Sequence, residues 1–508
     1  MRSHDDRCQG LEEALTDRSF DAAVDMVLSS PARDRFRATS ADGSVTFERR
    51  TVTVDDHDGV PVERHEFTIV DLDRKNPLAD GSTDRFSTSA DEARAPFPNR
   101  DANAYPHAYD QIAQFFDSAH APELVVQHAP SHRFGTNLGE HGSLGVVQAR
   151  APFVASGAGV VRAGIVNESA RMVDVAPTIL RLLGTDPHPD SIGPTGARRR
   201  AGLLRRQDGD PLTFVHEGGA DHVVVVLLDG CNPNQLYDAI AHGDAPAIGS
   251  LLGGGTALGL GLMASLPTAT LANHTTASTG VHPGHSGVLH HMWFDRERRV
   301  TPDLLAFDEM FAAMVHLRPD VETLHEAIHR SRPDAFTAAV FEFCDRGADV
   351  SSFADFRSGR APSFPDITAT SNAAMADSSD AYAFMSAVDE LATTQAISLW
   401  NREAGNPLPT FMFLSLSLTD EAGHEGGPHS EIVRAAVIDS DRRVERVLDA
   451  IDRSGARDRT AILVMSDHGM EAHNPAHDRP WSDLRDEALA DVGTRVRDVA
   501  DGWLYIEQ

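Results

Sequence analysis

The run VVVVLL at 223–228, closed by Asp229 and Gly230, most narrows what this chain can become. Consecutive apolar, largely β-branched residues make a strand only where both of its faces are covered. A strand, turn and helix pattern then recurs. VVVVLLDG is followed by a helical stretch near 234–241; GLMASLPT, TAAVFEF and TFMFLSLSLTD come next, a second helix covers 430–451, and AILVMSDHG closes the series. Such strands separated by helical lengths predict an α/β fold with a largely parallel central sheet and helices on both faces. In sheets of this kind, functional side chains gather beyond the carboxyl ends of the strands.

That rule selects three acid-bearing segments, read as turns: LLDG with Asp229, LTDEAGH with Asp420 and His424, and VMSDHGM with Asp467 and His468. Zinc accepts both carboxylate oxygen and imidazole nitrogen, so three strand ends meeting at one sheet edge would make a two-ion site. Taken singly, each aspartate is more commonly a helix cap or turn former. Three of them, two accompanied by histidine in glycine-containing turns, are hard to assign to coincidence. A fourth segment, LPTATLANHTTASTG at 266–280, crowds Thr268, Thr270, Thr275, Thr276, Ser278 and Thr279 into a turn-to-helix junction. A hydroxyl there usually caps the helix, yet the unpaired N–H groups at the same place attract phosphate.

In this order, Asp229, PTATLANH (Pro267 to His274), DEAGH (Asp420 to His424) and SDHGM (Ser466 to Met470) resemble the type I phosphodiesterase and nucleotide pyrophosphatase family of the alkaline phosphatase superfamily. The resemblance covers the chain from 223 onward and implies an alkaline-phosphatase-like fold. It also implies a role for each matching residue. Thr270 is then the nucleophile, and Asn273 helps hold a nonbridging phosphoryl oxygen. Asp229, Asp467 and His468 hold an ion that also contacts Thr270, and Asp420 and His424 hold a second. Two divalent metal ions are implied, zinc in the first place, with manganese or iron open because metal supply also matters.

The family carries a last histidine in a G-x-H-G turn after S-D-H-G-M, and no such turn occurs between Met470 and Gln508. It occurs instead near the start, in LGEHG, where it supplies His141. The APFVASG strand and VDVAPTILRLLG helix that follow also resemble the superfamily's sequence after that histidine. The chain is therefore expected to be circularly permuted. The implied activity is metal-dependent hydrolysis of phosphodiester or pyrophosphate bonds through a phosphothreonine intermediate, on nucleotides or small phosphodiesters. A phosphomonoesterase or phosphonate hydrolase is the enzyme alternative, and a metal-stabilised binding domain the non-enzyme one. A sulfatase is disfavoured, because no C-x-P-x-R segment is present.

The rest of the chain divides into an accessory helix and β-rich region (1–120), a permuted catalytic segment (121–185), a linker or surface loop (186–215) and the main catalytic part (216–508), with an insertion around 295–400 shaping the substrate pocket. Within these, residues 11–29 read as an amphipathic helix ending before Pro31. SVTFERRTVTV and RHEFTIVDL alternate as strands around DDHDGVP, and 74–107 reads as a polar surface excursion. ELVVQHA at 123–129 and APFVASG at 151–157 read as strands, 169–184 as a helix closing on Gly184, and DGWLYIEQ as an edge strand. His473 and His477 are expected in a solvated loop, while His285, His290 and His291 form an ambiguous cluster.

Asp and Glu outnumber Lys and Arg by 76 to 45, for a net charge of -31, which disfavours general nucleic-acid binding. A small phosphorylated substrate remains compatible, since bound cations reverse the potential around clustered carboxylates. Neither a secretory leader nor a membrane-spanning run is read from the sequence. Cys8, Cys231 and Cys344 are too scattered for a disulfide framework or a thiolate zinc site, so a cytoplasmic location is expected. Monomer and homodimer both stay open.

Overall fold

The computed structural model describes residues 4–507 except 21, 56–59, 85–102, 131, 133–134, 307–308, 310, 359–380, 475–478 and 491. Its central sheet runs in the order Val350–Ser351, Thr337–Val340, Phe411–Leu416, His222–Leu228, Thr460–Met465, Phe153–Gly157, Gly255–Leu258, Gly164–Val166. Every neighbouring pair is parallel except the two made by Phe153–Gly157, which runs against both Thr460–Met465 and Gly255–Leu258. The α/β architecture is therefore as expected, with a mixed sheet at one side.

Strand His222–Leu228 is buried at every position. Because side chains alternate across a strand, Val224, Val226 and Leu228 enter one core, and Val223, Val225 and Leu227 enter the other. Helices Pro233–His242, Pro246–Gly254, Ala381–Trp400 and Glu431–Arg453 close the first core. Helices Val175–Leu183 and Leu324–Ser331 close the second, joined by Ala277 of Thr270–Thr279. Full burial of each such Val or Leu is worth about 1.5–3 kcal/mol, which is why the apolar runs dictate this sheet. The helix expected over 169–184 starts later, at Val175, and ends where expected, on Gly184 in the left-handed conformation. GLMASLPT contributes only the two-residue strand Leu262–Met263.

A separate antiparallel sheet has the order Val496–Val499, Trp503–Ile506, Leu124–His128, Val24–Ala32, Arg35–Ser40, Gly43–Asp55, Pro61–Arg74. It overturns the helix expected over 11–29. A helix covers His4–Leu15, but Val24–Ala32 is a strand wedged between Leu124–His128 and Arg35–Ser40. The segment VDMVLS is apolar enough to be covered on both faces, and pairing on both edges outweighs a helical periodicity that short runs carry weakly. The closing strand Trp503–Ile506 is likewise internal, flanked by Val496–Val499 and Leu124–His128. No helix among the described residues is long and apolar enough to cross a membrane.

Residues 186–215 have little regular structure, yet they are packed: Ser191, Leu204, Gln207 and Asp208 are buried. Asp208 accepts from His285 Nδ1 at 2.6 Å, and His285 Nε2 meets Asp117 at 2.9 Å. Asp117 in turn receives a two-pronged contact from Arg49 at 2.6 and 2.7 Å. One buried imidazole thus ties the accessory sheet to the linker. Burial pushes the pKa of His285 down, but Asp208 and Asp117 outweigh it and raise it above the ordinary 6.5. A histidine with a raised folded pKa stabilises most below its unfolded value and loses that contribution as pH rises through the folded one. His285→Ala is expected to cost about 3–5 kcal/mol at neutral pH, because it strands a buried carboxylate. Urea unfolding of the variant checks this, and a difference under 1 kcal/mol would contradict it.

Candidate metal centre

The four motifs converge beyond the carboxyl ends of the strands. Asp229 follows His222–Leu228, and Asp467 and His468 follow Thr460–Met465. After Phe411–Leu416 the chain makes no turn of the kind expected. DEAGH lies within the helix Leu418–Gly426, which places Asp420 and His424 one helical turn apart on a single face. Gly230 permits the close approach of that helix: its φ is 62°, and a Cβ there would collide with Asp420.

Thr270 is the first residue of helix Thr270–Thr279, whose N-cap, Ala269, offers no side-chain cap. Its Oγ1 lies 3.3 Å from His468 Nε2 and 3.5 Å from Asp229 Oδ1. His468 Nε2 is in turn 3.2 Å from Asp467 Oδ2 and 3.6 Å from Asp229 Oδ1. Asn273 is fully buried. Its side-chain amide donates to the backbone oxygens of Ser265, Pro267 and Ala269 at 3.2, 2.9 and 3.3 Å, and its carbonyl accepts from Ser265 N–H at 2.7 Å. Placed so, Asn273 braces the turn that presents Thr270, with its amide spent on that turn.

The second half of the constellation joins residues far apart in the sequence. His424 Nε2 is 3.2 Å from Asp420 Oδ2, and His141 Nε2 is 3.7 Å from Asp420 Oδ1. The rings of His141 and His468 stack at 3.8 Å, so the two halves touch. The 141–143 loop is fastened to the turn that precedes Thr270: Gly142 N–H donates to Thr268 Oγ1 at 2.8 Å, and that hydroxyl donates to Ser143 O at 2.9 Å.

Two further neighbours carry no role in the motifs. Glu140 lies 3.8 Å from His424 Nδ1, and His274 Nε2 lies 3.9 Å from Asp229 Oδ2 and 3.7 Å from Asp467 Oδ2. Their signals were present, Glu140 beside His141 and His274 as the last residue of PTATLANH, but either type is ordinary without its spatial partners. Among the described residues, three groupings could each hold a cation: Glu140, His141 and His424; His141, Asp420 and His468; and Asp229, His274 and Asp467. His473, expected in a solvated loop, is buried with its ring 5.4 Å from that of His128, and His477 lies outside the described residues. His285 belongs to the linker clamp, whereas His290 and His291 pack together at 4.4 Å.

The donor set suits divalent cations. His141, His424 and His468 each direct Nδ1 to a backbone oxygen, of Thr268, Gly139 and Gly469, at 2.8, 2.8 and 2.9 Å. With the proton assigned to Nδ1, all three turn the Nε2 lone pair inward, the state in which imidazole binds metal. Asp420 Oδ1 and Asp467 Oδ2 are buried and lack hydrogen-bond partners. Burial, then the charges of Asp467 and Asp420, push the Asp229 carboxyl well above the ordinary carboxylate range. Burial also works against ionised Asp420, but His424 outweighs it and holds that carboxyl well below the range. Against the effect of burial, Asp420 and Glu140 lift His424 to about 10, so a cation binding there displaces a proton from its Nε2 to free that lone pair. Mutually repelling carboxylates around inward lone pairs are stable together when cations sit among them.

A model of the family described as type I phosphodiesterase / nucleotide pyrophosphatase matches residues 223–500. Among solved structures, the chain is similar to an inactive variant of murine ectonucleotide pyrophosphatase / phosphodiesterase 5 in complex with AMP (16% identity, TM-score 0.33, 50% of this chain and 59% of that one). It is also similar to phosphonoacetate hydrolase from Sinorhizobium meliloti in complex with phosphonoformate (20% identity, TM-score 0.38, 55% and 64%). A third similarity is to wild-type alkaline phosphatase PafA (14% identity, TM-score 0.41, 57% and 72%). The chain spans less than two thirds of the length of the first two. Comparison with curated proteins returned no match.

Proposed function

From the chain's membership of the type I phosphodiesterase / nucleotide pyrophosphatase family, we propose that it hydrolyses phosphodiester or pyrophosphate bonds of nucleotides or small phosphodiesters through a phosphothreonine at Thr270. The observation that carries this reading is the Thr270 hydroxyl, at a helix N-terminus and within 3.5 Å of both Asp229 and His468. Asp229, Asp467 and His468 would hold one divalent ion, and Asp420, His424 and His141 the other, zinc suiting their mixed oxygen and nitrogen donors. When bound, such ions supply a lowered hydroxyl pKa and positive charge opposite the oxygens that gain negative charge.

The chain's own residues account for the rest. Thr270 Oγ1 gives up its proton to solvent and forms a bond to phosphorus as the bond to the leaving oxygen breaks, and the leaving group takes a proton from solvent. Water then attacks the same phosphorus from the opposite side, breaks the Oγ1–P bond and restores the hydroxyl. N–H groups in the first turn of Thr270–Thr279 have no intrahelical acceptors and meet the nonbridging oxygens. Asn273 serves by fixing that turn. The circularly permuted order is supported by Phe153–Gly157 lying beside Thr460–Met465 in the central sheet and by His141 beside Asp420.

Initial rates on bis-p-nitrophenyl phosphate, p-nitrophenyl phosphate and p-nitrophenyl phenylphosphonate, measured with zinc content, test the reading. A kcat/KM at least tenfold higher for the diester than for the monoester is expected, a difference of about 1.4 kcal/mol in transition-state binding. Preference for the monoester would replace the proposal with a phosphatase, and absence of turnover on all of them with a binding domain.

A further inference from the structure

We infer that His274, oriented by Glu342, is an additional metal ligand on the Asp229–Asp467 side of the centre. The inference rests on the metal-centre reading above and extends its ligand set, to which the motifs assign no role for this histidine. His274 is fully buried in the second turn of Thr270–Thr279, and its Nδ1 meets Glu342 Oε2 at 2.8 Å. Glu342, also fully buried, follows strand Thr337–Val340 and accepts from Ser415 Oγ at 2.7 Å and from Cys344 N–H at 3.0 Å. Both of its oxygens are thereby fixed, and so is the plane of the ring.

Two observations point at an ion. First, His274 Nε2 is buried without a hydrogen-bond partner, as is Asp467 Oδ2, and these atoms lie 3.7 Å apart. That is too long for a hydrogen bond, yet it is an ordinary spacing for two atoms coordinating one cation at about 2.0–2.2 Å each. Asp229 Oδ2, at 3.9 Å, completes the triangle. Second, the ring is held as the other three inward histidines are, by an acceptor at Nδ1. Here the acceptor is a carboxylate rather than a backbone oxygen, an arrangement that orients the ring and raises its basicity as a ligand. Asp229 therefore faces Thr270 and His468 with Oδ1 and His274 with Oδ2. A carboxylate so divided makes the His274 side continuous with the nucleophile side.

The test compares full-length wild type with His274→Ala, Glu342→Gln and Asp467→Asn. Zinc affinity is measured by competition with a chromogenic chelator, the cobalt(II)-substituted protein by its visible absorption, and folding by circular dichroism. Glu342→Gln is expected to weaken one zinc site about 10–100-fold, the range for loss of an orienting partner. His274→Ala is expected to weaken it at least as much and to change the cobalt spectrum. Unchanged affinity and spectrum in folded His274→Ala, alongside metal loss in Asp467→Asn, would overturn the assignment of His274 alone. Unchanged binding in Asp467→Asn would overturn the metal centre itself. Should His274→Ala not fold, Glu342→Gln decides: unchanged zinc affinity there overturns the role of the pair.

Discussion

Thr270→Ala should abolish turnover of a phosphodiester, by roughly 10⁴-fold or more, the scale on which enzymes respond to loss of their nucleophile. Metal content should stay at the wild-type level, since Asp229, Asp467 and His468 keep their positions around the missing hydroxyl. Folding should be unaffected for a specific reason. The residue that caps Thr270–Thr279 is Ala269, with no side-chain cap bond, so the Thr270 hydroxyl is not holding the helix end. Alanine is moreover the stronger helix former. Initial rates with bis-p-nitrophenyl phosphate and elemental analysis of the same sample check the result together. Wild-type turnover in the variant would remove Thr270 from the mechanism, while lost turnover accompanied by lost metal would recast it as a ligand first.

His141→Ala should release one of two ions and lower the rate with it. His141 is held by Thr268 O through Nδ1 and presents Nε2 to Asp420 Oδ1, a buried atom with no other partner. Its removal should weaken that ion's binding beyond the roughly 100-fold that follows loss of an outer partner. The remaining ion, among Asp229, Asp467 and His468, should be retained. The ratio of zinc to protein after dialysis against a weak chelator reads this directly. Two ions retained in the variant would place the sixth ligand elsewhere and remove the main support for a permuted chain.

The cluster of candidate ligands was legible in the sequence because its members sit at strand ends and helix starts, where local pattern and chemistry coincide. Asp229 and Asp467 each follow closely on an apolar run, VVVVLL and AILVM, within a strand buried at every position, and no tertiary contact is needed to read a buried strand from such a run. Asp420 and His424 were found by type but misread in form. A Leu-Thr-Asp-Glu-Ala-Gly-His stretch carries both turn and helix signals, and packing against Gly230 and the Asp229 strand resolves it as helix.

What the sequence determined by itself was the α/β class, the central strands and most of the donor set, since apolar runs and donor types depend on residues close together in the chain. Tertiary structure alone decided that Val24–Ala32 pairs as a strand, that the 186–215 run is clamped by His285, that His274 stands beside Asp229 and Asp467, and that Glu140 stands beside His424. Those outcomes depend on partners far away in the chain. A strand wedged between two neighbours gains edge hydrogen bonds that local propensity cannot anticipate, and a histidine is a ligand or a spacer according to which carboxylate the fold sets on each of its nitrogens.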